Sequence, residues 1–274
     1  MRVFVLGSGS TGNAILVEGE SGGRVLLDAG LGPRVAANKM RELGHDLFPR
    51  GVDAVIATHH HGDHFSHAES LARTLRVPLY MHPGISASRV RARWEVREYR
   101  PGVPFEVGGF VVSAIAVPHD APQVALTVSC PSGLRFGLAT DLGCAPSSLV
   151  PFLGGCDVAL LEANYCPMLL EVGPYPEHLR RRIRGGLGHL SNEQAGDVAA
   201  ALAGTRLLKL YLGHISRSNN SPEKALAVVG PRCRGFDVEA VPHGASRLIE
   251  AGEIARARPP RPRAIGEQLA LSFG

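Results

Sequence analysis

Short runs of Val, Ile and Leu recur along the chain between clusters of glycine and proline. They are MRVFVL, AILVEG, RVLLDAG, VDAVIAT, VPLYMH, FVVSAIAVPH, QVALTVSC, LRFGLATD, DVALLEAN, RLLKLYLGH and FDVEAV. Few of them alternate cleanly between apolar and polar positions. A strand open to water on one face alternates, whereas a strand covered on both faces reads as a continuous apolar segment. The runs therefore predict sheets covered by helices. Segments with helical periodicity are fewer: 67–75, 177–184, 193–203 and 222–229. Ser191 stands ahead of the third, with Gln194 three positions on, which predicts a capping box. Strands with helices between them place the chain in the α/β class, with at least one layered sheet. No internal repeat is visible.

Of the 274 residues, 45% are hydrophobic and 20% charged, which is apolar enough for a full core and excludes wholesale disorder. The segment 255–264, ARARPPRPRA, cannot pack a core, so we divide the chain into a domain at 1–254 and an extended tail at 255–274. No apolar run approaches the ~20 residues of a membrane span, and the apolar part of MRVFVLGSGS is too short for a secretory signal. The 5 cysteines form no CxxC pair and read as reduced, buried thiols of a cytoplasmic protein. A net charge of +4 permits nucleic-acid binding without demanding it.

The densest chemistry is Thr58-His59-His60-His61-Gly62-Asp63-His64, directly after the buried run VDAVIA. In extended backbone His59 and His61 point to one side, and Asp63 and His64 can turn to a second position. Neutral imidazole and carboxylate are ligands for zinc, manganese and iron. His119, Asp141 and His214 each end an apolar run, so polar groups converge on one rim of a sheet. These residues suffice for two ions: His59, His61 and His119 on one, Asp63, His64 and His214 on the other, and Asp141 bridging. Two ions about 3.5–4 Å apart generate a hydroxide and clamp both oxygens of a displacement.

With Asp28 in RVLLDAG, this set resembles, in order, the five motifs of the metallo-β-lactamase fold. The resemblance spans roughly residues 1–250. It implies an αβ/βα sandwich of two packed mixed sheets with helices outside and a dinuclear site at the sheet edges. It also implies that Asp28 orients the His loop rather than binding metal. GSGSTGNA at 7–14, GPYPEHLRRRI at 173–183, GHLSN at 188–192 and GHISRSNN at 213–220 are similar to the YycJ/WalJ group of exonucleases within that fold. That likeness implies manganese-dependent 5′-to-3′ degradation of DNA ends in bacterial mismatch repair, among repair-protein partners. The pattern departs at Tyr165-Cys166, where many relatives carry His-Asp, and neither residue is assigned to the metals.

Gly7–Gly12 also matches G-x-G-x-x-G, but a strand hairpin follows where a dinucleotide site needs a helix. It reads either as a plain turn or as a phosphate-accepting loop bearing Ser8, Ser10, Thr11 and Asn13. Ser191 and Asn192 at a helix start, and Ser216, Asn219 and Asn220 after His214, are further candidates for phosphate contact. Asp63 would orient or deprotonate the hydroxide, and His189 would assist the leaving group. Arg89, Arg91 and Arg93, on one face of a strand beside Trp94, and Arg181 and Arg182 on a helix, are either solvated or a DNA surface. The sum is a dinuclear phosphodiesterase acting on DNA ends. The alternatives are a small-molecule hydrolase of the same fold, for a thioester, lactone or cyclic phosphodiester, and a non-catalytic DNA-binding module.

Overall fold

In the first strand, β1 (Arg2–Gly7), Val3 and Val5 point into one apolar core, while Phe4 and Leu6 point into another. All four are fully buried, which is why the run shows no polar alternation. The computed structural model describes residues 1–48, 50–85 and 94–257. One seven-stranded sheet runs β14 (Arg247–Ile249), β1, β2 (Ala14–Glu18), β3 (Arg24–Leu27), β4 (Ala54–Ile56), β5 (Leu79–Met81), β6 (Val96–Glu98). The other runs β13 (Asp237–Ala240), β12 (Lys209–Gly213), β11 (Val158–Glu162), β10 (Arg135–Ala139), β9 (Gln123–Ser129), β8 (Phe110–Val117), β7 (Phe105–Val107). Every apolar run named above contains a strand.

The sheets pack face to face through residues such as Val5, Ile15, Leu27, Leu126, Phe136 and Leu160. The outer face of the first sheet is covered by α1 (Pro33–Glu42) and α3 (Ala68–Leu75), through Met40 and Leu71. The outer face of the second is covered by α4 (Leu149–Gly154), α7 (Asn192–Ala201) and α8 (Pro222–Val229). The result is the helix–sheet–sheet–helix sandwich of mixed sheets that the resemblance implied. Helix α6 (Glu177–Arg184) forms where expected, and α7 opens with the capping box of Ser191 and Gln194. The sequence reading did not anticipate α1, α4, the turn α2 (Gly62–Phe65), α5 (Pro167–Val172) or α9 (Ala251–Arg256). Helix α9 runs past position 254, and the tail from 258 lies outside the described residues.

Strand polarity fixes where the loops meet. β3 and β4 are parallel, and β1 runs with them because it is antiparallel to β2, which is antiparallel to β3. β10, β11 and β12 are parallel, and β8 runs with them through β9. Within each sheet, the loops after β1, β3 and β4, and those after β8, β10, β11 and β12, therefore leave the C-terminal ends of co-directional strands. All five cysteines are free thiols; Cys130 and Cys156 are buried, but Cys144 is exposed, so the expectation of uniformly buried thiols is corrected. Cys144 lies in the loop after β10, outside any sheet layer. No helix among the described residues is long and apolar enough to cross a membrane.

Candidate metal centre

Three residues just past strand ends hold left-handed backbone without being glycine: Asp28 after β3 (φ 58°), Asp141 after β10 (φ 58°) and His214 after β12 (φ 52°). Such a conformation costs on the order of 1–3 kcal/mol and collects at functional sites. Here it turns three side chains back over the rim. The loop after β4 adds His59, His61, Asp63 and His64, and β8 leads into His119. Two groups of ligand atoms lie within 4.8 Å of one another, His59/His61/His119 and Asp63/His64/His214. Asp141 joins His59 and His64 in a third such group, and Glu162, His189 and His214 in a fourth. The structure thus brings together all seven residues assigned to the ions.

The outer nitrogen of each ligand imidazole has a protein partner. His59 Nδ1 meets Thr58 Oγ1 at 3.1 Å, and His64 Nδ1 meets Asp28 Oδ2 at 2.7 Å. His119 Nδ1 meets the Gly188 carbonyl at 3.0 Å, and His214 Nδ1 meets Glu162 Oε1 at 2.8 Å. His61 Nε2 lies 3.3 Å from Asp120 Oδ1. Tying the outer nitrogens to acceptors turns lone pairs inward. His61 Nδ1 and His119 Nε2 then face each other at 3.2 Å, while His59 Nε2 and His214 Nε2 are buried without a hydrogen-bond partner among the described residues. Ring nitrogens turned inward together beside carboxylates are a donor set that fits divalent cations. Asp28 also accepts from the Thr58 amide and hydroxyl, at 2.8 and 3.0 Å, so it braces the loop and binds His64 rather than facing the cluster.

The protonation pattern carries the same demand for positive charge. Burial opposes a charged His64, yet Asp141 and Asp28 outweigh it and push its pKa up to about 10. His214 is likewise raised against burial by Asp141, Asp63 and Glu162. Burial would raise Asp141, but His214 and His64 hold it well below the carboxylate range. His59, where burial dominates, is lowered.

Glu162, which the sequence reading passed over, is fully buried at the end of β11. Its Oε1 lies 2.8 Å from both His189 Nδ1 and His214 Nδ1, and its Oε2 accepts from the Leu142 and Leu190 amides. It ends an apolar run, as His119, Asp141 and His214 do, and that rule would have found it. Asp120, beside His119, is likewise absent from the sequence reading, because the partners that reveal it, His61 and Arg182, are distant in sequence.

The phosphate candidates divide. Ser10 and Ser216 line a cavity of about 370 Å³ with Asp63, Asp141, His189, His214 and Arg182. Thr11 is exposed, its Oγ1 3.0 Å from His243 Nε2. The others are buried in the rim. Ser8 Oγ accepts from the His214 amide, and Asn13 Nδ2 reaches His64 Nε2 at 2.8 Å. Ser191 caps α7, Asn192 and Asn220 pair through their side-chain amides, and the Asn219 side-chain amide is enclosed without a partner among the described residues. Trp94 packs partly against the core of the first sheet and donates Nε1–H to the Val77 carbonyl at 3.0 Å. Arg89, Arg91 and Arg93 lie outside the described residues. Arg181 is exposed and bonds Glu177, whereas Arg182 bonds Asp120. Tyr165 is buried, bridging to Ser191, and Cys166 is partly buried; neither belongs to a ligand group among the described residues.

Residues 23–215 match the family model of the beta-lactamase superfamily domain. The chain is 30% identical over 231 residues to exodeoxyribonuclease WalJ of Streptococcus pneumoniae, covering 82% of this chain and 85% of that one. It is 29% identical over 238 residues to exodeoxyribonuclease YycJ of Bacillus anthracis, covering 82% and 86%. The metallo-beta-lactamase fold protein YhfI from Bacillus subtilis superposes with a TM-score of 0.66 at 17% identity, over 90% of this chain and 98% of that one. That fold implies divalent metal ions, for which the clustered imidazoles and carboxylates are the candidate ligands. With the sandwich, the clusters and these likenesses in hand, the chain belongs to the beta-lactamase superfamily, in its metallo-β-lactamase fold.

Proposed function

We propose that this chain is a dinuclear metal-dependent phosphodiesterase that degrades DNA 5′-to-3′ from a 5′-phosphate end. The observation that carries the reading is a pair of ligand clusters joined by Asp141 beneath a cavity that also presents Ser10, Ser216 and Arg182. The likeness to chains named exodeoxyribonucleases supports DNA as substrate. His59, His61 and His119 would hold one ion, Asp63, His64 and His214 the other, and Asp141 both. Two divalent ions, which we propose are manganese with zinc or iron accepted by the same donors, would supply Lewis acidity there when bound.

The protein's own groups handle protons and orientation. Asp63 lines the cavity, its Oδ2 3.6 Å from His214 Nε2, and can accept the proton of an attacking water. Burial disfavours a charged His189, but Glu162 and Asp141 raise its pKa, so it can give a proton to the leaving oxygen. Ser10, Thr11 and Ser216 offer neutral donors to a terminal phosphate, and Arg182 offers a charged one. A cytoplasmic setting suits five free thiols. The cavity volume also fits a small phosphodiester, the second reading.

Digestion of labelled duplex DNA, with 5′-phosphate or 5′-hydroxyl ends and with manganese or zinc, tests the proposal. We expect phosphorylated linear DNA to be shortened from the 5′ end and closed circles to survive. Equal digestion of circles would remove the terminal reading. Inert DNA with turnover of a cyclic phosphodiester would favour the small-molecule hydrolase, and DNA binding with no hydrolysis of either would favour the module.

A further inference from the structure

Asp120 lies where helix α6 meets the metal centre. Its Oδ1 is 3.3 Å from both His61 Nε2 and His119 Nε2, and its Oδ2 accepts a hydrogen bond from Arg182 Nε at 2.6 Å. His119 already gives its Nδ1–H to the Gly188 carbonyl, and its Nε2 faces His61 Nδ1. His61 is therefore the imidazole whose outer nitrogen is left for Asp120. The other arginines of α6 face away from this contact: Arg180, Arg181 and Arg184 all pair with Glu177, and Arg184 also with Glu171.

We propose that Asp120 is the positioning residue of His61 and that Arg182 holds Asp120 in place, so that Arg182 on helix α6 is coupled to one metal position and not to the other. Accepting the Nε2–H of His61 fixes the tautomer that turns Nδ1 toward the ion shared with His59 and His119. The other position has its own braces, Asp28 on His64 and Glu162 on His214. The Arg182 side chain makes no other hydrogen bond to protein among the described residues, so its Nη groups remain for a phosphate in the cavity that it lines. An arginine that both braces a metal ligand and meets the substrate would make phosphate binding felt at that ion. The inference rests on the metal reading alone and needs no nuclease activity.

The test is a zinc titration of metal-stripped protein against a chromogenic chelator, with no DNA present. Asp120→Asn and Asp120→Ala should each weaken one of two binding steps about 10–100-fold and leave the other within about twofold, the usual consequence of losing a carboxylate behind a ligand histidine. Arg182→Ala should weaken the same step by less. Because Arg182 acts through Asp120, the double variant Asp120→Ala/Arg182→Ala should match Asp120→Ala alone. Asp120 is part-exposed and Asp120→Asn keeps its shape, so the metal-free variant should still melt in one cooperative transition. Unaltered affinities, equal weakening of both steps, or additive effects in the double variant would each overturn the proposal. A protein that shows the expected pattern yet leaves DNA intact keeps this inference and loses only the nuclease reading.

Discussion

Glu162 shows at the scale of one residue how the site is held together. Buried, it meets two imidazoles and accepts from two backbone amides. Burial alone would raise its pKa, but His189 and His214 draw it down to about 2 from an ordinary 4.5. A depressed carboxyl stabilises the fold fully above its unfolded value and loses that contribution as pH falls through the folded one. His64 has the opposite sign. Raised to about 10 in the absence of metal, it contributes fully below its ordinary 6.5 and loses that contribution as pH rises toward 10. Thermal melts of the metal-free protein should therefore fall on both sides of the window between these ordinary values. Glu162→Gln should melt lower than wild type at pH 6, and the two should converge as pH drops from 4.5 toward 2. A constant gap would show that the carboxylate charge is not what stabilises.

At the scale of elements, α7 illustrates a local signal that survives folding. Ser191 Oγ accepts from the Gln194 amide at 3.2 Å while Gln194 Oε1 accepts from the Ser191 amide at 2.9 Å. Ser191→Ala should cost about 1 kcal/mol, a fall of roughly 2–4 °C in Tm for a chain this long. An unchanged melt would mean that water replaces the cap. This box was legible because its partners are three residues apart, and the central strands were legible because two-sided burial leaves unbroken apolar runs. β6 was not: Val96, Arg97 and Glu98 are all exposed at a sheet edge. α1 buries only Ala36, Ala37 and Met40, and two alanines give little periodic contrast. α4 carries Pro151 within six residues and reads as a loop. The metal residues stood out because each interrupts or ends an apolar run. The inward turn of Asn13, Asn192 and Asn220 did not, because their partners come from other loops.

Across the whole molecule, a net charge of +4 is too small to hold DNA by a general field, so affinity must come from a few placed groups. The two arginines singled out on α6 differ in this respect. Arg181 is exposed and bonds Glu177, which Arg180 and Arg184 also engage, so its charge is locally matched. Arg182 reaches over the rim to Asp120 and lines the cavity. For each duplex phosphate that a side chain no longer neutralises, the plot of log affinity against log salt flattens by about 0.9. With metal kept saturating, Arg182→Ala should flatten that slope by about this amount and weaken binding most at low salt. Arg181→Ala should leave the slope where it is. Equal flattening by both would make the exposed face of α6 a continuous phosphate track. No flattening by either would leave Arg182 to the metal centre alone and move the DNA path to Ser10 and Ser216 of the same cavity, neutral donors that leave little salt dependence of their own.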